Sequence, residues 1–158
     1  MQGRIIAGVV ALLLGAGGLY VFMPADRSQA NRIDPTDLYA VALGKELYAD
    51  QCAACHGAGG EGQAGWETES TEENPLAPPH DGSGHTWQHP DDALFELTKT
   101  GLSTVACRTL NSDAMPKFED ILSDEQIVAV LSYIKSEWPP DILQQNADIN
   151  AIYGYEHN

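Results

Sequence analysis

The chain has 158 residues, 23 of them acidic and 8 basic, for a formal net charge of −15 at pH 7. That length suits one domain of ordinary size and is short for two. The charge excludes binding to nucleic-acid phosphates, which rests on counterion release by Lys and Arg. Three cysteines, an odd number, argue against a disulfide scaffold.

In chain order, residues 5–23 (IIAGVVALLLGAGGLYVFM) carry no charge, and Arg4 precedes them. Such a run spans roughly 28 Å as a helix, about the thickness of a bilayer core. Residues 1–24 are therefore expected to be a transmembrane anchor. A cleaved signal peptide, with Ser28-Gln29-Ala30 as its processing site, is the competing reading. Both place the rest of the chain outside the cytoplasm. Residues 25–35 read as a polar linker and residues 36–140 as the folded domain.

Residues 36–52 have a helical pattern, with Leu38, Val41, Ala42, Leu47 and Tyr48 near one face. Gly44 interrupts it at a cost of about 1 kcal/mol relative to alanine, which points to another backbone packed close by. Residues 57–73 hold five glycines, and residues 74–84 add Pro75, Pro78 and Pro79, so both read as loop. Residues 90–101 predict a helix, with Pro90 as its first residue, Asp91 and Asp92 at the positive end of the dipole and Gly101 as its stop. Residues 123–138 predict the clearest helix. Ser123 and Gln126 form a possible capping box, and Ile127, Val130, Leu131, Ile134 and Trp138 recur at helical spacing. Pro139 and Pro140 end it. Residues 141–158 form a tail with room for a short helix. No strand pattern occurs, so the expected fold class is all-α.

Between the first helix and the glycine-rich loop stands Cys52-Ala53-Ala54-Cys55-His56. Two thiols at this spacing can reach both vinyl groups of one haem, and the next histidine then lies under the iron; C-x-x-C-H is the sequence signal for covalent haem c. A thioredoxin-like pair would need a βαβ setting that is absent. A disulfide would be a strained tight loop. Zinc held by Cys52, Cys55, His85 and His89 would need a far longer gap than finger spacing provides. One haem and its iron are thus the expected cofactor, with His56 as metal ligand. Met1 and Met23 fall in the apolar segment, which leaves Met115, in the loop before the last helix, as the soluble part's methionine. His/Met ligation suits electron transfer, so Met115 is the expected second metal ligand; His80, His85, His89 and Cys107 are the alternatives. Cys107 otherwise reads as a small buried residue, and the three histidines as exposed loop residues or a copper or zinc cluster.

These residues together resemble the single-haem c-type cytochromes of the mitochondrial type and their bacterial membrane-anchored relatives. The resemblance covers residues 38–138, with Gly44, Tyr48, the Cys52–His56 motif, Met115-Pro116, Tyr133, and the stretch from Pro78 to Trp87. It implies the cytochrome c fold, helices packed around one covalent haem, with the first and last helices crossing near Gly44. It implies that a proline carbonyl accepts a hydrogen bond from the ligand histidine. Pro78 and Pro79 are the candidates, and Pro79 is assigned to the site. Trp87 is assigned there too, as a donor to a haem propionate, with ordinary packing as its alternative. An acidic loop and the lack of lysines around the haem edge depart from the mitochondrial pattern. The expected function is electron transfer, not catalysis of its own. The expected location is the periplasmic face of the inner membrane. Expected partners are a quinol-oxidising complex, a terminal oxidase or a dehydrogenase, met through basic patches on their side. A fixed subunit of a membrane oxidoreductase is the second reading and a haem-based sensor the third.

Overall fold

In the computed structural model, which describes residues 32–71, 73–101 and 115–156, the first helix begins where an aspartate can cap it. The carboxylate of Asp37 accepts hydrogen bonds from the N–H groups of Tyr39 (2.9 Å) and Ala40 (3.1 Å), so α1 runs Leu38–Gln51. The short helix α2, Ala53–His56, follows, then a 3-10 turn at Thr86–Gln88 and three more helices: α3 Asp91–Thr100, α4 Asp124–Ser136 and α5 Pro140–Glu156. No strand occurs among the described residues. All of them belong to one compact unit, Asn31–Asn158. The apolar segment at residues 5–23 and Cys107 lie outside the described residues; among those described, no helix is long and apolar enough to cross a membrane.

The capping box of α4 forms as its sequence predicts. Gln126 N–H donates to the Ser123 hydroxyl, and the Gln126 side chain accepts from Ser123 N–H. The five apolar residues expected to face inward are all buried. The burial goes further: every residue from Ile127 to Lys135 is buried. A helix enclosed on all sides is the centre of a fold, not its surface. α1 packs across α4 at Gly44, where an added Cβ would collide with the Ala129 carbonyl. Tyr48 and Tyr133 meet edge to face in the same interface, 5.4 Å between centroids.

α3 starts one residue later than expected. Pro90 occupies the cap position and supplies no side-chain cap. The orphaned N–H of Asp91 donates instead to the amide oxygen of Asn150 (2.7 Å), a residue of α5. Lys135 of α4 reaches the same aspartate at 2.6 Å. Residues 140–156, expected as a tail with a short helix, thus form a long helix that is built into the domain. Pro140 opens it rather than only ending α4, as proline's fixed φ allows at a first helical position. Asn146, with none of its surface exposed, donates to the Trp87 (2.8 Å) and His89 (2.9 Å) carbonyls. One helix therefore holds both the turn at Thr86–Gln88 and the start of α3.

Candidate haem site

The Cys-x-x-Cys-His motif sits at the end of α1. Cys52 closes that helix with its N–H on the Tyr48 carbonyl (2.9 Å), and α2 then turns His56 inward. Tyr48 lies one turn back, and its hydroxyl donates to the Gly57 carbonyl (3.1 Å), pinning the exit of the motif. The chain doubles back: Gly62 N–H donates to the His56 carbonyl (2.7 Å), and the Gly60 carbonyl accepts from His80 (2.7 Å) and Asp81 (3.1 Å). Gly62 has φ +69° and faces the backbone of Pro78 and Pro79, so a side chain would be both strained and obstructed there.

This knot carries the proline segment to the histidine. His56 Nδ1 lies 2.9 Å from the Pro78 carbonyl oxygen. A carbonyl can only accept, so Nδ1 carries the proton and Nε2 keeps its lone pair for a metal. Burial pushes the imidazole's pKa below the ordinary histidine value, with the Pro78 bond opposing, so the ring is held neutral. The partner is Pro78, not Pro79 as the sequence suggested. The Pro79 carbonyl accepts from the Thr86 hydroxyl instead (3.2 Å). Trp87 is a second correction. Its indole N–H donates to the Gly84 carbonyl (3.0 Å), and Trp87 is not on the cleft wall. The bond lies within its own turn, which leaves no N–H for a propionate.

Cys52, Cys55, His56 and Met115 line one cleft of about 300 Å³, a size ordinary for small-molecule sites. Leu94, Leu97, Phe118, Leu122, Val130 and Ile134 belong to its apolar wall. Both cysteines are free thiols. Cys52 is half-buried, and burial first, then the neighbouring Cys55, pushes its thiol up to about 11. The two do not pair in a disulfide. Nor is the zinc set formed: among the described residues, no group of three or more His, Cys, Asp or Glu is placed to hold a metal.

His80 was read as an exposed loop residue, but its ring stacks on His56, centroids 3.8 Å apart and planes 16° from parallel. Its Nδ1 is buried without a hydrogen-bond partner. His85 stacks on Trp66 (5.4 Å) and touches His89 edge to face (5.6 Å). All three histidines line the cleft. Their spacing along the chain carries no signal for this. It depends on the fold of a loop whose turns are set by tertiary hydrogen bonds.

A haem fits these residues: two free thiols beside a neutral, oriented imidazole, a thioether in the same cleft, and an orphaned polar atom on a mostly apolar wall. The class of protein so defined is a helical domain that carries one covalently attached haem. A family model described as Cytochrome c matches residues 41–138, and the chain belongs to the cytochrome c family. It therefore binds haem c, with its iron, and serves haem-based electron transfer. No curated protein and no solved structure matches the chain.

Proposed function

We propose that this chain is an electron carrier whose iron is held between His56 and Met115, tethered by its first residues to the inner membrane and passing electrons between redox complexes on the periplasmic side. The observation that supports it best is the shared cleft of His56 and Met115 together with the Pro78 bond that frees His56 Nε2. When bound, the haem supplies a one-electron couple. The remaining work belongs to the chain. Cys52 and Cys55 anchor the macrocycle. Pro78 and the stacked His80 fix the plane of the imidazole, as partners of metal-bound histidines do. Met115 would hold the iron through its thioether, a ligand that would favour the reduced form. The apolar wall excludes water and limits reorganisation. No general base or nucleophile is required, because no substrate bond forms.

Visible spectra of the membrane fraction, oxidised and reduced, test this for the native chain and Met115→Ala. The native protein should give a low-spin haem c spectrum, and the variant should lose the native low-spin form. Retention of that form in Met115→Ala would show another sixth ligand. Extraction of the haem by acid acetone would refute covalent attachment. Absence of the haem from the membrane fraction would refute the tether.

A further inference from the structure

We propose that His85 and His89 are the partners of the haem propionates, the role that Trp87 cannot fill. The inference rests on the haem-carrier reading. A haem brings two carboxylates into a cleft whose wall is mostly apolar, and buried carboxylates need donors. Among the described residues, no lysine or arginine lines the cleft. Lys99 and Lys135 are paired elsewhere, with Asp124 and Asp91.

Most other polar side chains on the wall are engaged or misplaced, and Gln63 is anchored through its oxygen alone. The Thr86 hydroxyl bonds the Pro79 carbonyl, the Thr98 hydroxyl bonds the Leu94 carbonyl, and the Gln63 side-chain oxygen accepts from Ala77 N–H. Gln51 adjoins Cys52, at the attachment edge. Propionates leave the macrocycle on the edge opposite the vinyl groups, so they meet the wall away from the cysteines. His80 lies face to face against the ligand histidine His56 itself, 3.8 Å between centroids. That leaves the Gln63 NH2 and the rings of His85 and His89, which line the cleft and make no hydrogen bond among the described residues; the two rings touch, 5.6 Å between centroids, as donors to a pair of neighbouring carboxylates must.

They are also held in advance of any ligand. Trp66 stacks against His85. The His89 carbonyl is tied to the buried Asn146, and its N–H donates to the Thr86 carbonyl (3.2 Å). Donors fixed in this way lose little rotamer entropy on pairing. Two carboxylates near the iron stabilise its ferric form, and donors on them offset that charge. These histidines are thus positioning residues for the haem that raise its potential.

The test compares the full-length holoprotein with His85→Leu, His89→Leu, the double variant, and the matching glutamine variants, which keep an N–H donor. Each leucine variant should lower the midpoint potential and shift the propionate-bending band in the resonance Raman spectrum. The double variant should raise the ferric-to-ferrous ratio at fixed electrode potential roughly tenfold, or 59 mV for one electron. Glutamine should restore most of both readouts. An unchanged potential and Raman band in the double leucine variant would overturn the pairing. So would glutamine variants as shifted as leucine ones, since packing alone would then explain the change. Covalent haem, scored in every sample by its retention on a denaturing gel, separates this from the carrier reading, which falls only if the native chain carries none.

Discussion

Gly44 shows how one missing side chain sets a helix crossing. Alanine there would gain about 1 kcal/mol in helix propensity. Its methyl would meet the Ala129 backbone, which cannot turn aside as a side chain could. Overpacking costs typically 1–3 kcal/mol, so after the propensity gain Gly44→Ala should destabilise by about 1 kcal/mol net in urea titrations of the holoprotein. A neutral or stabilising result would mean that α1 and α4 slide apart without loss. Tyr48 gives a pH signature. Burial, and after it the nearby Cys52, Tyr133, Glu61 and Asp81, raise its phenol above the ordinary value of 10. A raised folded pKa means that the native state holds the proton longer than the unfolded chain. The stabilisation is complete below pH 10 and fades as pH rises from there toward the folded pKa. Tyr48→Phe loses the hydroxyl bond to Gly57, about 1 kcal/mol at pH 7. Its deficit relative to the native protein should shrink above pH 10, while Tyr133, also raised by burial, keeps its slope in both. Denaturation midpoints between pH 7 and 11 measure this, and a constant deficit would contradict it. At this scale the sequence was legible wherever chemistry alone chose the residue. Gly44 had no other reason to sit in a helix, and Cys52, Cys55 and His56 carry their purpose in their spacing. Pro78 and Pro79 differ only in which carbonyl faces His56, and the knot around Gly60 and Gly62 decides that. Trp87 was misread because its N–H is satisfied three residues back, by a turn that the sequence does not specify.

Among the elements, α4 was legible because its cap and apolar spacing are local, whereas of the α1 face read from the sequence Leu38 and Ala42 are exposed and Tyr48 is buried. Ser123 is visible as a cap before any contact is known, whereas Asp37, read as part of the first helix, caps it from outside. α5 was not legible, and the reason is physical. Its anchoring residues are Asn146 and Asn150, polar side chains that bond backbone groups 57 to 59 positions away, and an apolar pattern cannot reveal them. The same bonds make the helix testable. Asn146→Ala leaves the Trp87 and His89 carbonyls without partners in a buried site, at about 1–3 kcal/mol. Asn150→Ala removes the cap of α3, at about 1 kcal/mol. Both should lower the urea midpoint with little change in the denaturant slope. Asn146→Ala alone should also disturb the visible spectrum of the haem, because its partners are the carbonyls of Trp87, inside the turn between His85 and His89, and of His89 itself. If neither variant shifts the midpoint, α5 is an appendage after all. If Asn150→Ala perturbs the haem as strongly as Asn146→Ala, the two ends of α5 do not act separately.

Over the whole molecule, the charge of −15 must govern how anything approaches the haem. The cleft wall carries no lysine or arginine among the described residues, and the chain has 8 basic residues against 23 acidic ones. A field of one sign raises the encounter rate with oppositely charged reactants and weakens with salt over a Debye length, about 10 Å at 0.1 M. A protein partner with a basic face would feel it, but small complexes isolate the effect before any partner is known. Oxidation of the reduced protein by a cobalt(III) complex cation should slow severalfold between about 10 mM and 0.5 M salt. Oxidation by ferricyanide should accelerate over the same range, and the two salt dependences should flatten together at the high end. Stopped-flow absorbance of the haem measures both. The covalent haem makes the site the same in each experiment, so the sign of the salt slope reports on the surface alone. Equal slopes for the two reagents would mean that the acidic residues lie away from the exposed haem edge, and that the charge serves solubility rather than steering. Opposite slopes would place the acidic field where electrons cross, and would account for a carrier that lacks the lysine ring of the mitochondrial type: its partners must bring the positive charge.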